Sequence, residues 1–203
     1  MRNNTRALAA GLLLAGLAFA LMLAGCQTVP VAPAPSVAWT VRRPALQHLD
    51  RFGLNGRVAV AVDKQGFNAG LRWNQSGAMT RIALTGPLGA GGVAVTAEGG
   101  DLSVVTASGK RLDAAAARTE LEDKLGFEPP ISSLRYWVLG VPDPGAPASV
   151  QLDPQQRLIR LTQEGWQIDY AAYMPVGAGW LPRLLTLQRA GVRVRMVVDG
   201  WQL

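Results

Sequence analysis

The sequence predicts a mainly β protein with helices, an α+β chain whose antiparallel sheet curls strongly on itself. Three observations carry this. Apolar and polar residues alternate with a period of two over many short runs. Gly-containing turns separate most of those runs. One interruption between them has helical rather than strand character.

The runs follow in order. Val58, Val60 and Val62 alternate with Arg57, Ala59 and Ala61 in Gly56–Val62. Leu71 and Trp73 oppose Arg72, and Ile82 and Leu84 oppose Arg81 and Ala83. Val93 with Val95, and Leu102 with Val104, repeat the pattern. After the interruption Trp166, Ile168 and Tyr170 alternate with Gln167 and Asp169. Leu185 and Leu187 then alternate with Thr186 and Gln188. Val192, Val194, Met196 and Val198 alternate with Arg193, Arg195 and Val197. Within the interruption, Asp113 stands where it can cap a helix over Ala114–Leu125, and Gly126 supplies its stop. Pro129 and Pro130 open a second short helix running to about Gly140, with Leu134, Trp137 and Val138 on one face. Strands, two helices and strands again fit one curved sheet with helices against its concave side.

The N-terminus has a different character. Arg2 and Arg6 precede an uncharged, almost wholly apolar run from Ala7 to Leu23, the layout of an export signal. The run is near the lower limit for a membrane-spanning helix, so a retained anchor is the rival reading. Leu23-Ala24-Gly25-Cys26 decides between them, because it resembles the bacterial lipobox. There the signal is cut before the cysteine, whose thiol carries a diacylglycerol and whose new amino group is acylated. Residues 1–25 are thus expected to be a lipoprotein signal peptide, and 26–36 the lipidated Cys26 with a Pro/Ala-rich tether. Residues 37–203 are expected to form one domain. Gln27 resembles the outer-membrane class of lipoproteins rather than the inner-membrane class. Cys26 is the chain's one cysteine, so the mature domain has no thiol for a disulfide or a Cys-based metal site.

The charge balance is 20 Lys+Arg against 14 Asp+Glu, and losing Arg2 and Arg6 makes the excess milder. It favours an anionic membrane surface or is simply a solvated exterior. Nucleic acid is a poor partner for an exported chain with scattered basic residues. No catalytic constellation is legible. His48 is the single histidine, and no Gly-x-Ser-x-Gly seats a nucleophile. Glu120, Glu122 and Asp123 point apart on a helix. Gly89–Gly92 lacks the Lys-Ser/Thr of a phosphate loop. No metal or dissociable cofactor is expected.

The chain offers instead six tryptophans, with Trp73, Trp137 and Trp166 on apolar faces. An ordinary core and a pocket for one apolar ligand both fit that pattern. The landmarks then combine: a lipobox, Trp39, GRVAV at 56–60, LRWNQ at 71–75, GPLG at 86–89, LRYWVLGVPDP at 134–144, QEGWQIDYAAY at 163–173, Leu181-Pro182 and a terminal DGWQL. In this order they resemble the LolB family of outer-membrane lipoprotein receptors, from the lipobox to the C-terminus. The resemblance implies an unclosed antiparallel β-barrel with a short helical lid over an apolar cavity. It implies a monomer, lipid-anchored in the outer membrane of a Gram-negative bacterium and facing the periplasm. Such a protein takes the acyl chains of a lipoprotein from the periplasmic carrier LolA and inserts them into the membrane without ATP. It raises the odds of a cavity, whose wall candidates from the alternation are Leu71, Trp73, Ile82, Leu84, Trp137, Trp166, Ile168 and Tyr170. A structural lipoprotein of an outer-membrane assembly and a carrier of free lipids are the alternatives.

The loop Leu84–Gly92 holds Leu88 near the tip of a tight turn, an odd place for an apolar side chain. Pattern alone allows it to fold back onto the sheet. The resemblance implies that Pro87, Leu88 and Gly89 protrude and enter the membrane.

Overall fold

The computed structural model describes residues 37–86 and 91–203. Cys26 and the tether, and Pro87, Leu88 and Gly89, therefore lie outside the described residues. Eleven strands form one antiparallel sheet: β1 (Arg51–Val62), β2 (Gln65–Ser76), β3 (Met79–Thr85), β4 (Gly92–Glu98), β5 (Asp101–Thr106), β6 (Arg111–Asp113), β7 (Ala148–Leu152), β8 (Leu158–Gln163), β9 (Trp166–Val176), β10 (Gly179–Arg189) and β11 (Val192–Gln202). Their spatial order is β6-β5-β4-β3-β2-β1-β11-β10-β9-β8-β7. Two meanders are thus joined where the last strand pairs with the first, Val58 opposite Met196 and Val60 opposite Val194. The outer strands β6 and β7 do not pair, so the sheet stays open. The segment that connects them in sequence carries helices α2 (Ala114–Leu125) and α3 (Ile131–Trp137).

The faces follow the alternation. Val58, Val60, Leu71, Trp73, Val95, Val104, Leu185, Leu187, Met196 and Val198 are buried, while Arg57, Arg72, Arg193 and Arg195 are exposed. Glycine is required at Gly56, where a Cβ would lie 2.1 Å from the Val197 carbonyl oxygen across the strand pair. That close approach coincides with the bulge between Asn55 and Gly56.

Four local readings change. A further helix, α1 (Trp39–Gln47), precedes the sheet despite Pro44 in its interior; it buries Trp39. β1 begins at Arg51, ahead of the alternating run. Strands β6, β7 and β8 were not expected. β8 hid because Leu158 and Leu161, three apart, are both buried; a register shift between Gln151 and Leu152 opposite them breaks strict alternation. Asp113 occupies the position before α2, but its side chain makes no capping hydrogen bond. Gly126 does end α2: it is left-handed (φ 77°) and its N–H donates to the Glu122 carbonyl at 2.7 Å.

Candidate functional site: an apolar cavity under the helices

α2 buries Ala117, Leu121 and Leu125, one turn apart, toward the sheet. Leu121 and Leu125, with Phe127, Pro129, Pro130, Ile131 and Leu134, roof a partly enclosed cavity of about 90 Å³. Its floor is the inner face of β1–β4 with β10 and β11, including Val58, Leu71, Trp73, Ile82, Leu84 and Met196. Every wall residue is apolar. Two open surface grooves flank it. One, of about 600 Å³, shares Leu84 and Leu125 and lies beside Gly86 and Gly91. The other, of about 730 Å³, shares Leu121, Pro129, Pro130, Ile131 and Trp166 and carries charged residues such as Arg135, Glu164 and Arg189.

The structure divides the eight wall candidates. Leu71, Trp73, Ile82, Leu84 and Trp166 border the cavity. Trp137, Ile168 and Tyr170 do not, although all three are buried. They are packed in a solid, hydrogen-bonded block at the far end of α3. Trp137 Nε1 donates to Gln163 Oε1 (2.7 Å), which also accepts from the Asp143 backbone N–H (2.9 Å). The Gln163 amide donates to the carbonyls of Asp143 and Ala146, both at 2.8 Å. Tyr170 donates to the Trp137 carbonyl at 2.9 Å, and Tyr173 to the Leu158 carbonyl at 2.8 Å. Burial holds both phenols above their ordinary pKa, so they stay protonated donors. Ser133 Oγ lies 2.9 Å from Asp143 Oδ2 and 2.6 Å from Glu164 Oε2, and donates its one proton to either.

Alternation had already placed Val58, Val60, Val194 and Met196 inward, but nothing in it separates cavity from core. Phe127 gave no periodic signal, since it sits in a link. Trp166 stands at the junction of the two environments. Its ring packs on Phe127 (5.6 Å between centroids) and under the Arg189 guanidinium (4.8 Å). Its Nε1 is the one buried side-chain polar atom without a hydrogen-bond partner among the described residues. Leaving such a donor unpaired costs about 1–3 kcal/mol.

A family model described as outer membrane lipoprotein LolB matches residues 50–201. The chain belongs to the LolB family. It is 36% identical to an outer-membrane lipoprotein LolB of Nitrosococcus oceani, over 90% of this chain and 93% of that one. It is 35% identical to one of Pseudomonas savastanoi, over 81% and 80%. Like these relatives it is an outer-membrane lipoprotein. Its fold is also that of a solved LolA superfamily protein from Nitrosomonas europaea, with TM-score 0.55 at 11% identity, covering 83% of this chain and 94% of that one.

Proposed function

We propose that this protein takes lipoproteins from a LolA-like periplasmic carrier by housing their acyl chains beneath α2 and α3, and delivers them into the outer membrane. The observation that carries the reading is the wholly apolar, partly enclosed cavity between the sheet and its helical roof. Burying each CH₂ of an acyl chain is worth about 0.8 kcal/mol, so a chain crossing an aqueous compartment needs such a host. The cavity of about 90 Å³ is smaller than the roughly 150 Å³ that accommodates benzene. Loading therefore requires the roof to lift, and Leu121, Leu125, Phe127 and Ile131 face the floor with apolar side chains. Once the roof lifts, the unpaired Trp166 Nε1–H is available to donate to the ester or amide carbonyl at the head of an acyl chain. No bond is made or broken. Cys26 is the site of the covalent N-acyl and S-diacylglyceryl groups, and Pro87, Leu88 and Gly89 form the loop that brings the exit to the bilayer.

The test is lipoprotein transfer from a loaded carrier to this protein and then to vesicles. Leu71→Asp and Leu84→Asp on the cavity floor are expected to abolish the first step while circular dichroism stays that of a folded sheet. Leu88→Glu is expected to spare the first step and slow the second. Normal uptake by folded floor variants would sink the cavity reading; normal release by Leu88→Glu would reduce that loop to a turn.

A further inference from the structure

The convex face of the sheet carries a regular stripe of arginines. Arg193 and Arg195 are successive outward residues of β11, and Arg195 lies opposite Ala59 of β1. Two residues along β1 is Arg57, which lies opposite Gly70 of β2. Two residues along β2 is Arg72, opposite Ala83 of β3, and two residues along β3 is Arg81. Each strand thus displaces its arginine by one outward position relative to the last. Such diagonal neighbours lie about 7–8 Å apart on a sheet face. All five side chains are exposed. Between them stand small residues, Ala59, Gly70 and Ala83, so little else projects to shield the charges.

The stripe is nearly free of counter-charge. Asp199 pairs with Arg57, accepting from its Nε at 3.2 Å and from its terminal nitrogen at 2.9 Å. Arg72, Arg81, Arg193 and Arg195 form no ion pair among the described residues. Besides Asp199, the acidic residues nearest by register are at its two ends, Asp63 in the turn beside Gly191 and Glu98 beyond Thr96. Two unpaired guanidiniums stand on each side of the paired Arg57; like charges so close repel one another, and an extended anion relieves that repulsion. Arginine in place of lysine suits phosphate, because its planar fork offers paired donors and is weakly hydrated.

We propose that this convex stripe docks the domain on the phosphates of an anionic bilayer, the periplasmic leaflet of the membrane to which the protein is anchored. The chain from Cys26 to Trp39 reaches at most about 45 Å when extended, so the domain lives beside that surface. Helices α2 and α3 lie on the opposite, concave side. Docking by the arginines turns the cavity roof toward the periplasm, a posture for receiving cargo. The inference rests on the outer-membrane location and not on what the cavity holds.

The acylated protein, reconstituted into vesicles, tests it. Asn68, exposed and opposite Ala59, is replaced by cysteine and labelled with a polarity-sensitive dye. The dye is expected to enter a less polar environment with phosphatidylglycerol-containing vesicles but not with pure phosphatidylcholine, and to return to water at high salt. Each arginine removed should lower the docking equilibrium about fivefold, so Arg72→Gln with Arg195→Gln should lower it about 25-fold. Arg160→Gln, on β8 and already paired with Asp169, should leave it unchanged. Equal signals in the two lipids, or full docking by the double variant, would overturn the proposal. So would a dye that ignores lipid and responds to the carrier protein, which would make the stripe a contact for an acidic protein surface.

Discussion

The two ends of the helical segment are held to the sheet by different physics. At the α3 end, Gln163 alone ties together Trp137, Asp143 and Ala146 through four hydrogen bonds, and Tyr170 adds a fifth to the Trp137 carbonyl. At the α2 end, the apolar side chains of Leu121, Leu125 and Phe127 lie over an apolar void and, among the described residues, have no donor or acceptor for a side-chain hydrogen bond to its floor. Directional bonds in a dry block define one geometry, and breaking one strands a partner. Apolar contacts across a void are non-directional, and a sliding or lifted helix that meets another apolar surface keeps most of its burial. The contrast assigns roles. The α3 end is a fixed hinge post. The α2 end is the part of the roof that an acyl chain can displace.

The largest expected effect strikes the post. Gln163→Leu removes all four bonds at once and leaves the Trp137 indole and several backbone groups unpaired in a dry site. It should cost about 3–5 kcal/mol, read as a lowered urea midpoint. Leu121→Ala strikes the roof. It should cost about 2–3 kcal/mol, as for a core leucine beside space that can partly collapse. It should also speed acyl uptake, because it enlarges the void and loosens α2. If both variants speed uptake alike, the division into post and roof is wrong. Trp166→Phe, at the boundary, tests the carbonyl handle. It should weaken retention of an acyl ester about fivefold, one neutral hydrogen bond, and leave retention of a hydrocarbon of equal length unchanged.

How legible this was depends on the interaction concerned. The inner faces of β1–β3 and β9–β11 could be read directly, because a half-buried strand writes its burial into every second residue. Trp73, from strand alternation, and Trp137, from helical spacing, both read as apolar, aromatic and inward. Trp73 lines the void while its Nε1 donates to Gln75 at 3.3 Å; Trp137 is bonded away from the void to Gln163, a polar residue whose strand breaks alternation. α1 was masked by Pro44, and the roof residue Phe127 by its position between helices.

By itself the sequence determined which side chains face inward, where α2 begins and ends, and the landmarks of the family. Local periodicity and local chemistry suffice for those. The tertiary structure decided that β1 pairs with β11 and that α2 and α3 lie in the connection between the two unpaired outer strands, over the cavity. It also decided that five arginines distant in sequence fall into one diagonal. Register and long-range pairing depend on contacts between segments far apart in the chain, and no window of neighbouring residues contains them.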